Sequence, residues 1–150
     1  MKNLRLRFSY FGALIVALQA LPNIIWALFP PAQNRLEGNV SSVPFVEYGE
    51  HILGVAIVIL LLFLVNKTVP NKLYRNAPAI TSYTAIALYW LCWGFYFAGI
   101  QNNAVLYPMV ILPPVAFFCA GLAGNVWPIS TASAVFLVFH LLVALENYPI

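Results

Sequence analysis

The chain has very little charge. Only 7% of its 150 residues are Asp, Glu, Lys or Arg, and 63% are hydrophobic. A soluble domain has about 25% charged residues, and a soluble fold of this size could not bury so much apolar surface. The composition therefore excludes an ordinary soluble protein. The few basic residues form no stripe or patch, which argues against nucleic acid as a partner.

Cysteines and recognisable motifs are also scarce. The two cysteines are Cys92 and Cys119, and on helices crossing a membrane their depths differ by roughly 10 Å. A disulfide joins Cα atoms at most about 7 Å apart, so we predict free thiols. The sequence has no metal-binding or nucleophile motif and no internal repeat. We therefore predict no metal and no cofactor, and the sequence favours a binding protein over an enzyme.

Long apolar runs are abundant. A helix needs about 20 residues to cross a bilayer, and a membrane span must pair its backbone polar groups internally. We predict an all-α membrane protein, a single domain over 1–150 that forms a bundle of five transmembrane helices. The predicted spans are about 8–29, 46–66, 79–100, 104–123 and 126–145.

The first span has an alternative interpretation. A basic start followed by an apolar run also resembles a secretory signal peptide, with a cleavage position near Ala20. The apolar run continues through Trp26 and Phe29, which favours an uncleaved span. Cleavage would leave four spans in the same orientation.

Charge is segregated along the chain. All four acids and one basic residue fall at one set of span ends, and the other basic residues fall at the opposite ends. Because basic loops stay in the cytoplasm, we predict an inner N-terminus and an outer C-terminus in a plasma membrane, which we take to be bacterial. The inner residues are Lys2, Arg5, Arg7, Lys67, Lys72 and Arg75, and the outer ones are Arg35, Glu37, Glu47, Glu50 and Glu146.

Span two draws acidic residues into the membrane. Its continuous apolar core, 52–65, is about 21 Å long, too short to cross alone. The helix must therefore include Glu47, Glu50 and His51, and Glu47 shares a face with the other two because they follow at i+3 and i+4. The pair of carboxylates could share a proton. This group is either an interfacial collar or a site for a proton, a cation or a metal.

A second histidine comes from span five on the same side. His140 lies roughly 9 Å below the outer boundary among apolar neighbours, so we predict that it points into the bundle. It either bonds to a neighbouring helix or meets Glu47, Glu50 and His51. Two histidines and two carboxylates could also ligate a transition metal.

Aromatic residues and prolines indicate a cavity in the outer half. Tyr89, Trp90, Trp93 and Tyr96 of span three form either a helix-packing surface or the wall of a pocket that suits a lipophilic cation.

Prolines inside the spans also free backbone carbonyls. Pro22 frees the carbonyl of Leu18 and lies beside Asn23, and Pro113 and Pro114 interrupt span four. Such breaks are tolerated where neighbours or a watered cavity satisfy the carbonyls.

The size, the five spans and the many aromatic residues and prolines resemble the tryptophan-rich sensory/translocator protein family. That resemblance implies a helical membrane bundle that binds porphyrins or other lipophiles. The family's Trp-Pro-Pro signature does not occur: the paired prolines here follow Phe29 and Leu112. No residue role is therefore carried over.

We predict binding or translocation of a small lipophilic or cationic ligand in an outer pocket. The expected site residues are Glu47, Glu50, His51, His140, Tyr89, Trp90, Trp93, Tyr96 and Asn23. One alternative is a non-catalytic subunit that docks a membrane protein partner or a second copy through small-residue faces. The other is an intramembrane enzyme that uses a Glu/His pair as acid and base.

Overall fold

The structure is a computed structural model that describes residues 3–149. Its main elements are five helices of similar length, and each one lies on a predicted apolar stretch. The all-α prediction is confirmed, with one short strand pair added. The helices are α1 (Tyr10–Leu28), α2 (Pro44–Phe63), α3 (Ala77–Phe97), α4 (Asn103–Ala123) and α5 (Trp127–Asn147).

Four of these helices, α1, α2, α4 and α5, are long and apolar enough to cross a membrane. The third helix, α3, is equally long, at 21 residues, but its tyrosines, tryptophans, threonines and serine lower its mean hydropathy. The described residues therefore contain four span candidates by composition, one fewer than the five predicted from the sequence.

The second apolar stretch ends differently from the prediction. Helix α2 stops at Phe63, before residue 66, because Leu64 is extended, with φ −109° and ψ 119°. Strand β2 (Leu64–Asn66) pairs antiparallel with β1 (Leu4–Leu6), and Leu4 lies opposite Asn66. This pairing holds the basic N-terminal segment beside the basic 67–76 loop.

The helices alternate in direction, so the charged residues collect at two ends of the bundle. At one end Asn66 donates to the carbonyl of Asn125, at 2.9 Å. At the other end Arg35 donates to the carbonyl of Gln101, at 2.7 Å. We call them the basic end and the acidic end. The basic end has Arg5, Arg7, Lys67, Lys72 and Arg75, and the acidic end has Arg35, Glu37, Glu47 and Glu146, with Glu50 one turn deeper; Lys2 lies outside the described residues.

Helix α4 is the central element and the most buried of the span candidates. It packs closely on α3 and α5, α5 packs on α2, and α1 closes the bundle with much looser contacts to its neighbours. Ser82 of α3 donates to the carbonyl of Ala116 at 2.8 Å, which fixes α3 to α4. The described cysteines, Cys92 and Cys119, are free, as predicted.

Two local features attach α1 to the rest of the bundle. Pro22 lies inside α1 and cannot donate to the carbonyl of Leu18; the indole Nε1 of Trp90 donates to that carbonyl instead, at 2.9 Å. Towards the basic end, Gly12 lets α1 approach α2, because a Cβ there would collide with the backbone carbonyl of Leu61.

Candidate functional site

A cavity of about 590 Å³ lies between the five helices, in the half of the bundle nearer the acidic end. Its walls are mostly apolar, with several neutral polar groups. It extends from the middle of the bundle to the segment 29–43, which covers its outer end. The lining residues are Val16, Gln19, Ala20, Asn23, Trp26, Leu36, Asn39, His51, Gly54, Val58, Tyr89, Trp93, Met109, Val110, Pro113, Phe117, Phe136 and His140.

One polar group of the cavity lies on α1 and α3. The Asn23 carboxamide donates to the Tyr89 hydroxyl at 2.9 Å, and that hydroxyl lies 3.2 Å from Asn23 Oδ1, to which it can donate in turn. The Trp93 ring packs edge-on against Tyr89, with centroids 6.1 Å apart. Gln19, one turn before Asn23 on α1, completes this group, which we call the amide cluster: Gln19, Asn23, Tyr89 and Trp93.

The amide cluster is incompletely satisfied. Both polar atoms of the Gln19 side chain and Nε1 of Trp93 are buried and have no hydrogen-bond partner within residues 3–149. A fourth such atom at the cavity is Oδ1 of Asn39. Buried polar groups in proteins are nearly always paired, so these atoms mark the wall of the cavity as a place where a polar group of a bound molecule would be stabilised.

The second polar group of the cavity lies on α2 and α5. Nδ1 of His140 bonds to the carboxylate of Glu50, and the imidazole stacks on Phe136, with centroids 4.9 Å apart. Side-chain exposure is 22% for His140 and 14% for Glu50, so the pair is largely removed from solvent. The structure thus places His140 inside the bundle, with Glu50 behind it.

Glu47 and His51 are arranged differently. Glu47 accepts from the backbone amide of Ser41 at 2.7 Å, which ties the segment 29–43 to α2. Nδ1 of His51 lies 2.8 Å from the backbone carbonyl of Glu47 and 3.4 Å from its carboxylate. Since a carbonyl only accepts, Nδ1 of His51 carries the proton. No hydrogen bond joins Glu47 to Glu50 in the described part of the chain, because Glu47 bonds to Ser41 and Glu50 bonds to His140.

The four ionisable side chains do not form one centre. Within residues 3–149, no group of three or more His, Cys, Asp or Glu side chains is placed to hold a metal ion. The reason is that Glu50 turns towards α5, whereas Glu47 turns towards the loop. The metal interpretation of the two histidines and two carboxylates is therefore not supported.

The aromatic residues of α3 divide between two faces. Tyr89 and Trp93 line the cavity, whereas Trp90 faces outward, is 38% exposed and bonds to α1. Tyr96 is fully buried below the segment 29–43. The spacing of four and three residues places Tyr89, Trp93 and Tyr96 on one side of the helix, and Trp90 lies off that side.

The segment 29–43 is fixed over the cavity by Tyr96 and Trp26. The Tyr96 hydroxyl donates to Oδ1 of Asn34 at 2.7 Å and accepts from the amide of Leu36 at 3.1 Å. Nε1 of Trp26 donates to the same Asn34 oxygen at 2.8 Å. These bonds hold Leu36 and Asn39 at the outer end of the cavity.

The end of α5 also holds this segment. Glu146 accepts from the backbone amide of Ser42 at 2.9 Å, and the Tyr148 hydroxyl donates to the carbonyl of Arg35 at 2.9 Å. The Arg35 guanidinium lies over the Tyr148 ring, 5.4 Å from its centroid. The pKa of Tyr148 is raised to about 12, mainly by burial and in part by the nearby Tyr96, while Arg35 opposes the shift. The phenol is therefore neutral at physiological pH and able to donate.

Of the nine site residues predicted from the sequence, the structure brings five to the cavity: Asn23, His51, Tyr89, Trp93 and His140. Glu50 contacts the cavity only through His140, and Glu47, Trp90 and Tyr96 hold surrounding structure. The predicted list of site residues omitted Gln19, Trp26, Asn39 and the apolar walls. Gln19 carried a signal, because it is a polar residue within an apolar span, one turn before Asn23 and next to the Pro22 break.

Comparison with known proteins adds no further information: no protein family, curated protein or solved structure matches this chain.

Proposed function

We propose that this protein is a five-span membrane protein that binds a small lipophilic molecule inside its helical bundle, in the outer half of a bacterial plasma membrane. The N-terminus and the basic end would be cytoplasmic. The segregation of basic residues at one end supports this orientation. Helix α3 would complete the bundle as a span because it is long enough and packs closely on α4.

The cavity is the observation that carries the proposal. Its volume of about 590 Å³ falls within the range of about 300–1,000 Å³ typical of ligand pockets, which are mostly apolar with a few polar groups. Here the apolar walls come from residues such as Val58, Met109 and Phe117, and the polar groups come from the amide cluster and His140. A bundle that served only to dock another protein would not need such a space.

The arrangement of the acids favours a neutral lipophile over a cation. Neither Glu47 nor Glu50 is among the described residues that line the cavity, because each carboxylate bonds to a protein partner. A cation inside would therefore meet aromatic rings and two histidines but no free carboxylate. The enzyme alternative has less support than ligand binding because no Ser, Thr or Cys among the described residues lines the cavity as a nucleophile beside His51 or His140.

The test uses benzophenone, a neutral lipophile that forms covalent adducts at nearby C–H bonds under ultraviolet light. Labelling of the protein in lipid vesicles should saturate with benzophenone concentration, and the saturable adducts should map to cavity residues such as Met109 and Val110. Labelling of lipid-facing residues would rise linearly instead.

A matched pair of variants locates the site. Gly54 lines the cavity, and a Cβ there would meet only the Phe136 ring, at an ordinary 3.6 Å. Gly54→Leu therefore fills space without a backbone clash, and we expect it to abolish most saturable labelling. The control is Val55→Leu on the outward face, where the side chain is 62% exposed; its labelling should equal that of the wild type. Equal labelling of both variants would refute the proposal.

A further inference from the structure

We propose that the ligand of this cavity is a neutral, mostly apolar molecule with one compact group that both donates and accepts hydrogen bonds, such as a primary amide or a hydroxyl, and that Gln19 and Trp93 recognise this group. The inference rests on the proposed function and specifies the chemistry of the ligand.

The starting observation is a set of unpaired polar atoms. Gln19 is 6% exposed and Trp93 is 4% exposed, yet Oε1 and Nε2 of Gln19 and Nε1 of Trp93 have no partner among the described residues. Both side chains belong to residues that line the cavity. A buried polar atom without a partner lowers stability, and a bound molecule that pairs with it offsets that cost.

Protein neighbours do not supply the missing bonds. The Tyr89 hydroxyl lies beside both side chains, but its hydrogen bonds run to the Asn23 carboxamide. Asn23 in turn donates to the backbone carbonyl of Gln19, at 2.9 Å, not to its side chain. The Tyr89 hydroxyl keeps one acceptor lone pair, and the Trp93 indole and the Gln19 carboxamide lie near it but outside hydrogen-bond geometry. Within residues 3–149 these two groups therefore remain available to a bound molecule.

The unpaired atoms define what would fit. Trp93 Nε1 and Gln19 Nε2 are donors, and Gln19 Oε1 is an acceptor. A carbonyl or hydroxyl oxygen would accept from the donors, and an N–H or O–H on the same small group would donate to Gln19 Oε1. Gln19 lines the cavity, and a change of its side-chain rotamer would turn the buried carboxamide towards the ligand. No Asp, Glu, Lys or Arg among the described residues lines the cavity, so a neutral group is favoured.

The experiment measures competition against benzophenone labelling by three molecules that share a naphthalene body. 2-Naphthamide donates and accepts, methyl 2-naphthoate only accepts, and 2-methylnaphthalene does neither. Each is compared at equal concentration in the lipid phase, in wild type and in Gln19→Leu. The variant keeps the approximate size of the side chain and removes a carboxamide that has no partner in the described structure, so it should unfold no more easily than wild type.

We expect 2-naphthamide to compete about fivefold to tenfold less well in Gln19→Leu than in wild type, the effect of one or two lost hydrogen bonds. 2-Methylnaphthalene should compete equally in both proteins, and methyl 2-naphthoate should lose little because Trp93 Nε1 still donates to it. If saturable labelling maps to the cavity but the amide competes equally in both proteins, the inference is wrong and the proposed function stands. Absence of saturable labelling in wild type overturns both.

Discussion

From the hydrogen bond between Glu50 and His140 we predict a measurable coupling free energy between α2 and α5. The perturbation is a double-mutant cycle with Glu50→Leu, His140→Leu and the double variant. Both side chains keep some exposure, at 14% and 22%, so the cost of each single change should fall below the roughly 3–5 kcal/mol seen when one partner of a fully buried pair is removed. We expect about 2 kcal/mol for each.

The coupling energy distinguishes the charge state of the pair. A hydrogen bond with a charged partner contributes about 1.5–3 kcal/mol, whereas neutral interhelical bonds in membrane proteins average about 0.6 kcal/mol. We expect a coupling of at least about 0.6 kcal/mol, the average for neutral bonds between membrane helices, and a value near 2 kcal/mol would identify an ionised pair. The leucines of the double variant can pack against each other, so it should be less destabilised than the sum of the singles.

The assay is the free energy of unfolding in mixed micelles, followed by far-ultraviolet circular dichroism during titration with a denaturing detergent. The control cycle pairs His140→Leu with Glu47→Leu, since Glu47 bonds to Ser41 and should show no coupling to His140. A Glu50–His140 coupling equal to that of the control cycle would refute the contact and the inward placement of His140.

Three further predictions concern the attachments around the cavity. Trp90→Phe should cost about 1 kcal/mol by leaving the Leu18 carbonyl unpaired. The cost should fall in a Pro22→Ala background, where the backbone amide of residue 22 can bond to that carbonyl. Equal costs in both backgrounds would contradict the hydrogen bond from Trp90 to Leu18. Gly12→Ala should destabilise by about 3 kcal/mol through overpacking, whereas Gly94→Ala, where a Cβ meets no atom within 4 Å, should be neutral or slightly stabilising in the same unfolding titration. The pKa of Tyr148 is raised from 10.0 to about 12, mainly by burial, so the stability that the neutral phenol contributes is constant below about pH 10 and is lost as the pH rises towards 12. Tyr148→Phe should cost about 1 kcal/mol at pH 8 and flatten the alkaline fall in melting temperature. An unchanged alkaline slope would show that this phenol is not shielded.

The positions of the helices were predictable because apolar runs and proline placement are local signals. Pro44 lies at the first turn of α2, and the side chain of Asn76 accepts from the amide of Ala79 as the N-cap of α3. The strand pair was not predictable, since it depends on Leu4 meeting Asn66, and no local pattern in either segment requires that contact.

The composition of the site was harder to predict than its location. The spacing of Glu47 and Glu50 indicated a carboxylate pair, but tertiary partners separate them: Ser41 binds one and His140 the other. Helical spacing shows which side chains can meet on one helix, and it contains no information about which neighbouring helix supplies a stronger partner. Likewise, the aromatic residues of span three indicated a pocket wall that included Trp90. In the structure Trp90 lies on the outward side of α3 and does not line the cavity.

The charged residues and the groups proposed to bind the ligand occupy different parts of this molecule. The charge asymmetry separates the two ends of the bundle, and the acids near the cavity hold its surroundings in place: Glu50 bonds to His140, while Glu47 and Glu146 bond to the covering segment. The amide cluster on one wall of the cavity consists of carboxamide, phenol and indole groups that keep the same charge between pH 5 and 9. Ligand binding governed by the amide cluster should thus be independent of pH over that range.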